Sequence, residues 1–103
     1  MGMQCNMKRL PKPIAFDWDK ANVDKNWIKH EVDYKEAEEI FTNKPIKIFL
    51  DLRHAQIEER FLALGVTDRK RKLAIIFTLR NNKIRVISAR DQSKKDRDIY
   101  EKN

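Results

Sequence analysis

Arg60, Arg80 and Arg90 are the residues whose type and spacing most suggest chemistry. Arg60 opens one apolar stretch and Arg80 closes another, beside the pair Asn81-Asn82. Arg90 leaves the alternating run Lys83-Ile84-Arg85-Val86-Ile87-Ser88-Ala89. Guanidinium forks match phosphate oxygens and can stabilise the phosphorane formed when RNA is cleaved. Taken singly, each also fits an ordinary charge on a sheet edge. Proton transfer has three candidates. His30 titrates near neutral pH, though it could equally cap the end of a helix. Tyr100 could donate a proton or stack on a base, or could simply pack at a helix end. Lys83 is the third, should neighbouring cations lower its pKa.

Around these residues the charge is uneven. Between Asp68 and Arg97 there are 11 Lys/Arg against 3 Asp/Glu, a surplus of eight in a chain whose net charge is +7. The remainder is close to neutral, so a polyanion would meet one basic region. Arg69, Lys70 and Arg71 sit in an expected hairpin turn, as a phosphate-steering patch or a solvated tip. Lys83 and Arg85 lie on an expected strand, and Lys94, Lys95 and Arg97 open an expected helix. All are candidate RNA contacts. His54 reads as a solvated loop residue, and Trp18 and Trp27 as core or helix–sheet contacts.

Composition removes several classes. The chain has 103 residues, 41% hydrophobic and 38% charged, enough for one domain with a modest core. Cys5 is alone, so no internal disulfide forms and a reducing, cytoplasmic setting is expected. One Cys and two separated His do not make a zinc site, and no Asp/Glu cluster asks for magnesium. No metal or cofactor is expected. Gly2 and Gly65 are the only glycines, which leaves no P-loop or Gly-rich phosphate cradle. No stretch approaches the roughly 18 apolar residues of a membrane span, and no secretory signal is visible.

The elements that must hold the candidates follow from periodicity. Residues 1–13, with Pro11 and Pro13, read as a flexible leader in which Met1 or Met7 could be the start. Residues 14–103 read as one domain. A short strand at 14–16 precedes a helix capped by Asp17 or Asp19 and running to about Lys29, with Val23 and Trp27 on one face. Asp33 and Glu36 have capping-box spacing, and Tyr34, Ala37, Ile40 and Phe41 form a helical stripe ended by Asn43 and Pro45. Strands are expected at 46–52, 60–66, 72–79 and 83–89, with Asn81-Asn82 tolerating the positive φ of a tight hairpin. Ser93 and Asp96 form a second capping box. The expected fold is α+β: two N-terminal helices packed on a four-stranded antiparallel sheet, with a C-terminal helix.

The stretches FDWDKANVDKNWIKHEVDYKEAEEIF, EERFLALGV and IRVISARDQSKKDRDIYE resemble, in this order, segments of the BrnT toxins. These are small RelE-like ribonucleases of type II toxin–antitoxin modules. By position the family's motif residues fall on Trp18, His30, Arg60, Arg80, Arg90 and Tyr100. Two departures stand out: Glu31 occupies the glycine position of a Lys-His-Gly turn, and Leu79-Arg80-Asn81 replaces an acidic residue, Arg and Gly. The resemblance implies a metal-independent endoribonuclease that arrests translation, and a BrnA-like ribbon-helix-helix antitoxin as partner. A dimer of heterodimers is expected, touching operator DNA only through the antitoxin. The expected mechanism is attack by the ribose 2′-hydroxyl on the adjacent phosphorus. Arg80 and Arg90 would hold the non-bridging oxygens, helped by Arg60, and His30 or Tyr100 would move the proton. The rival readings are a non-catalytic nucleic-acid-binding module and an adaptor for an acidic partner.

Overall fold

The computed structural model describes residues 10–51 and 58–102. Residues 1–9 of the expected leader, and His54, lie outside the described residues. Three helices, α1 (Lys20–His30), α2 (Tyr34–Glu39) and α3 (Lys94–Glu101), surround four strands. The strands are β1 (Lys47–Leu50), β2 (Phe61–Val66), β3 (Lys72–Arg80) and β4 (Lys83–Asp91). They pair antiparallel in the order β1-β2-β3-β4, the meander expected from short connections. This is the α+β architecture the periodicity implies.

Alternation along the strands gives the sheet two faces. One carries Ile48, Phe61, Ala63, Leu73, Ile75, Phe77, Val86 and Ala89 against Val32, Ala37, Ile40 and Phe41, which is the main core. Leu10, at the end of the segment read as leader, is buried in that core as well. The second face carries Leu62, Leu64 and Ala74, with Phe49 and Ile76, under Ile99 and Tyr100 of α3. Gly65 lets the main layer close up. A Cβ there would stand 2.9 Å from Ile40 Cβ, too near for any larger residue without a shift.

Capping explains where the helices begin. Asp19 accepts from the Ala21 amide to start α1. Asp33 and Glu36 form the expected capping box of α2, as Ser93 and Asp96 do for α3. α2 is shorter than its apolar stripe: Ile40 and Phe41 lie in the turn beyond it, yet both are buried. α1 ends at Glu31, whose φ of 53° is left-handed and whose N–H bonds to the carbonyls of Asn26 and Trp27. At the hairpin, Asn81 and Asn82 have φ of 53° and 60°. Glu31 and Asn81, where the resemblance implies glycine, are therefore left-handed positions filled by other residues.

α1 corrects one expectation. Trp27 is not a core contact; it is 55% exposed, and Ile28 beside it is 78% exposed. The inward face of α1 is polar and binds the outer edge of β4. Asn22 and Lys25 donate to the Val86 and Ile87 carbonyls, and Asn26 accepts from the Ala89 amide. Farther along that edge the preceding segment forms a parallel bridge, Phe16 with Ile84. Backbone groups that would template association are thereby satisfied.

Candidate active site

Strand register brings residues together on the second face. Asp51 lies opposite Arg60 through its amide bond to the Arg60 carbonyl. Phe61 pairs with Phe77 and Thr78 with Arg85, so Arg60, Thr78 and Arg85 share one row across the sheet. Leu62, Ile76 and Ser88 form the next row, and Leu64, Ala74 and Arg90 the one after. At about 3.3 Å per residue, Arg90 lies some 13 Å along the sheet from the Arg60 row. Arg80 stands six residues from Ala74, the partner of Arg90, hence about 20 Å away by the same rise. Arg80 and Arg90 therefore do not meet on one phosphate. Arg60 and Arg90 flank the middle of the face, and Arg80 and Lys83 mark its far rim.

Between the end of β1 and the first turn of α3 lies a cavity of about 230 Å³. It is lined by the apolar Leu62 and Ile76 and by Asp51, Arg90, Ser93, Lys95 and Asp96. Arg90 donates to Asp96 at 2.7 Å and to the Asp91 carbonyl, which fixes its head at the cavity. Burial pushes the Asp96 carboxyl up, but bonds from Arg90 and Ser93 outweigh that and leave it below the ordinary carboxylate range. Arg60 is different. Its Nε is buried without a hydrogen-bond partner, and no ion pair reaches it among the described residues. A buried donor without a partner among the described residues, on the same sheet face as the cavity, suits an oxygen acceptor.

Much of the remaining positive charge is already neutralised. Arg85 is held by Asp17 at 3.2 Å and Asp19 at 2.9 Å. Arg80 pairs with Glu58 at 3.2 Å, and Lys72 with Glu101. Arg71 is a clamp and not part of a tip: it binds Asp91 through Nε at 2.7 Å, Glu36, and the carbonyls of His30 and Glu31. Those bonds tie the starts of β3 and α2 to the ends of β4 and α1. The Arg71 hydrogen bond is the main reason the Asp91 carboxyl lies below its usual range, and the nearby His30 adds to it. His30 accordingly stands beside Asp91, on the α1/α2 side of the sheet, away from Arg60. Tyr100 is buried, donates to the Pro45 carbonyl at 2.6 Å, and has its phenol pushed above the ordinary value by burial. Neither is brought to the cavity.

The other predicted contacts are peripheral. Arg69 and Lys70 are exposed in the β2–β3 turn, Lys70 with a φ of 72°. Lys94 and Lys95 are exposed on the first turn of α3, and Arg97 donates to the Gln92 carbonyl. Trp18 packs against the core and donates to Glu38 at 2.7 Å, as a helix–sheet contact should. Asp51 was not foreseen as a site residue. The usable signal was a carboxylate at the end of the apolar run 46–52, where alternation puts 47, 49 and 51 on one face. Among the described residues no three His, Cys, Asp or Glu side chains cluster as a metal site would need. No described helix is long and apolar enough to cross a membrane.

The fold finds a counterpart among known proteins. The chain is similar to the crystal structure of the Brucella abortus ribonuclease toxin BrnT, with a TM-score of 0.57 and 23% sequence identity. The likeness covers 79% of this chain and 99% of that one, and at this identity it speaks for the fold alone. No curated protein sequence matches the chain. A sequence family described as "Ribonuclease toxin, BrnT, of type II toxin-antitoxin system" matches residues 18–96. That span takes in α1, α2, the whole sheet, and Arg90, Ser93, Lys95 and Asp96 of the cavity. A match of this extent, over a sheet with the same order of elements, makes the chain a member of the BrnT family of type II ribonuclease toxins.

Proposed function

We propose that the second sheet face cleaves RNA without a metal ion, by attack of a ribose 2′-hydroxyl on the adjacent phosphorus. The reaction leaves a 2′,3′-cyclic phosphate and a free 5′-hydroxyl. The observation that carries this reading is the cavity of about 230 Å³ lined by Arg90, Lys95 and Asp51. Cations fixed on one side of the scissile phosphate stabilise charge that grows in the transition state, and fixed dipoles and charges do so without reorganisation. Arg60 supports the reading because its Nε is buried without a partner among the described residues. Arg90 holds a non-bridging oxygen and Arg60 adds a second positive group on the same face, while Lys83 and the Arg69-Lys70 turn guide flanking nucleotides along the strands.

The cellular outcome on this reading is arrest of translation in the cytoplasm. Neutralisation falls to a BrnA-like ribbon-helix-helix antitoxin in a dimer of heterodimers, and operator DNA is reached only through that partner. Support for it comes from family membership, since a type II toxin has a protein antitoxin.

Substitution separates catalysis from mere binding. Arg60→Ala and Arg90→Ala are expected to lower single-turnover cleavage by about 100-fold or more while affinity for an uncleavable 2′-deoxy strand changes by less than about tenfold. Equal losses in affinity and rate would show a phosphate-gripping surface and contradict the enzymatic reading.

A further inference from the structure

We propose that Asp96 is a positioning residue for the cleavage: its carboxylate holds one nitrogen of Arg90 and so leaves the opposite edge of that guanidinium set for the phosphate. This rests on the reading of Arg90 as a group that holds a non-bridging oxygen, and it says what fixes Arg90 in place.

Arg90 lies near the end of β4 and Asp96 in the first turn of α3, and both line the cavity. Asp96 Oδ2 accepts from Arg90 Nη1 at 2.7 Å and from the Ser93 amide at 3.0 Å. The Asp96 amide donates in turn to Ser93 Oγ at 3.1 Å. The carboxylate is therefore held by the start of the helix and is only 5% exposed. A long, flexible arginine gains little from a solvated carboxylate, whereas a buried and capped one fixes it. Arg90 Nη1 also donates to the Asp91 carbonyl at 3.1 Å. These bonds use both hydrogens of Nη1. Among the described residues no bond takes up Nε or Nη2 of Arg90. Those two groups form an edge that can meet a pair of phosphate oxygens at once. Asp96 thus occupies the part of the guanidinium that a phosphate does not need.

What the pair contributes is order in advance of the reaction. A guanidinium that must settle as the phosphorane forms loses part of the gain to its own ordering, and one already held does not. The same carboxylate closes the cap of α3, whose Ile99 and Tyr100 pack over Leu62, Leu64 and Ala74. Seating of that helix and placement of Arg90 are therefore one event. The negative charge of Asp96 offsets part of the attraction that Arg90 exerts on RNA, so removing it should not weaken the grip on the strand. The loss falls on the rate instead.

A double-mutant cycle separates positioning from support of the fold. Single-turnover cleavage and affinity for an uncleavable 2′-deoxy strand are measured well below each variant's melting midpoint. Asp96→Ala is expected to slow cleavage by about 10- to 100-fold, with affinity within about threefold of wild type. Added to Arg90→Ala, which removes the group it acts on, Asp96→Ala should slow cleavage by no more than about a further threefold. Asp96→Glu carries the residue usual at this place in a capping box and should recover most of the rate. Asp96→Asn keeps an oxygen for the cap without the charge and should recover less. Ile99→Ala, which loosens α3 through its packing on the sheet, should lower the melting midpoint yet leave the rate within about threefold of wild type. A multiplicative loss in the double variant would overturn the positioning role and leave the cleavage mechanism standing, as would an Asp96→Ala protein as fast as the wild type. Ile99→Ala as slow as Asp96→Ala would do the same, by showing support of the helix and nothing more. An Arg90→Ala protein that cuts at the wild-type rate would remove both the part of Arg90 in the reaction and its positioning by Asp96.

Discussion

Arg71 shows how far a residue's role depends on what surrounds it. In the sequence it is one cation in Arg69-Lys70-Arg71-Lys72, a run that reads as a tip; folded, it joins Asp91, Glu36 and two helix-end carbonyls. Arg71→Met should lower stability by about 1–3 kcal/mol in urea unfolding, because the partners of a charge-assisted network are left unmatched. Asp91 and Asp96 both have folded pKa values below their unfolded ones. The unfolded chain therefore takes up protons first on acidification. Their contribution is complete above about pH 4 and fades as the pH falls through the lower folded values. A pH series of melting temperatures should decline below about pH 4, and less steeply in Arg71→Met, where Asp91 loses the bond that depresses it. The arginines of the site were legible in the sequence, since strand ends announce them. Where the candidate proton-transfer groups lie was not. His30 and Tyr100 are chemically apt, but only register and packing decide which face they occupy, and neither lines the cavity.

Elements were more legible than contacts. Both capping boxes, the Asn81-Asn82 hairpin and the order of strands follow from local chemistry that distant residues do not override. What local pattern could not convey is α1 with its polar residues inward, because the edge of β4 that they serve lies about sixty residues away. The two missing glycines follow from backbone geometry. Glu31 holds a left-handed conformation that costs a side-chain-bearing residue of the order of 1 kcal/mol, so Glu31→Gly should raise stability by about that amount in urea melts. Gly65→Ala should do the reverse by about 1–3 kcal/mol, since its Cβ would press on Ile40, and a compensating Ile40→Val should recover part of the loss. An unchanged midpoint for Gly65→Ala would mean that the helix layer yields more easily than the 2.9 Å approach implies.

At the scale of the molecule, ion pairing revises the basic region. Of the 11 Lys/Arg between Asp68 and Arg97, five are in ion pairs: Arg71, Lys72, Arg80, Arg85 and Arg90. Among the described residues the other six form no ion pair and are the ones taken as meeting phosphates along the strand. The logarithm of affinity for a single strand should thus fall against the logarithm of salt with a slope of about −4, against about −8 if all acted. Salt titration of binding to a 2′-deoxy strand measures it directly. The unpaired cations border the cavity and its flanking turns, which is how a sheet face acquires both a track for the strand and one place where it reacts. The decisive measurement is the chemistry of the ends released from RNA by the isolated protein in excess EDTA. Cleavage at an undiminished rate, with 2′,3′-cyclic phosphate and 5′-hydroxyl ends, is the predicted result. Fragments ending in 3′-hydroxyl, or activity that vanishes with the chelator, would contradict a reaction carried by these side chains alone.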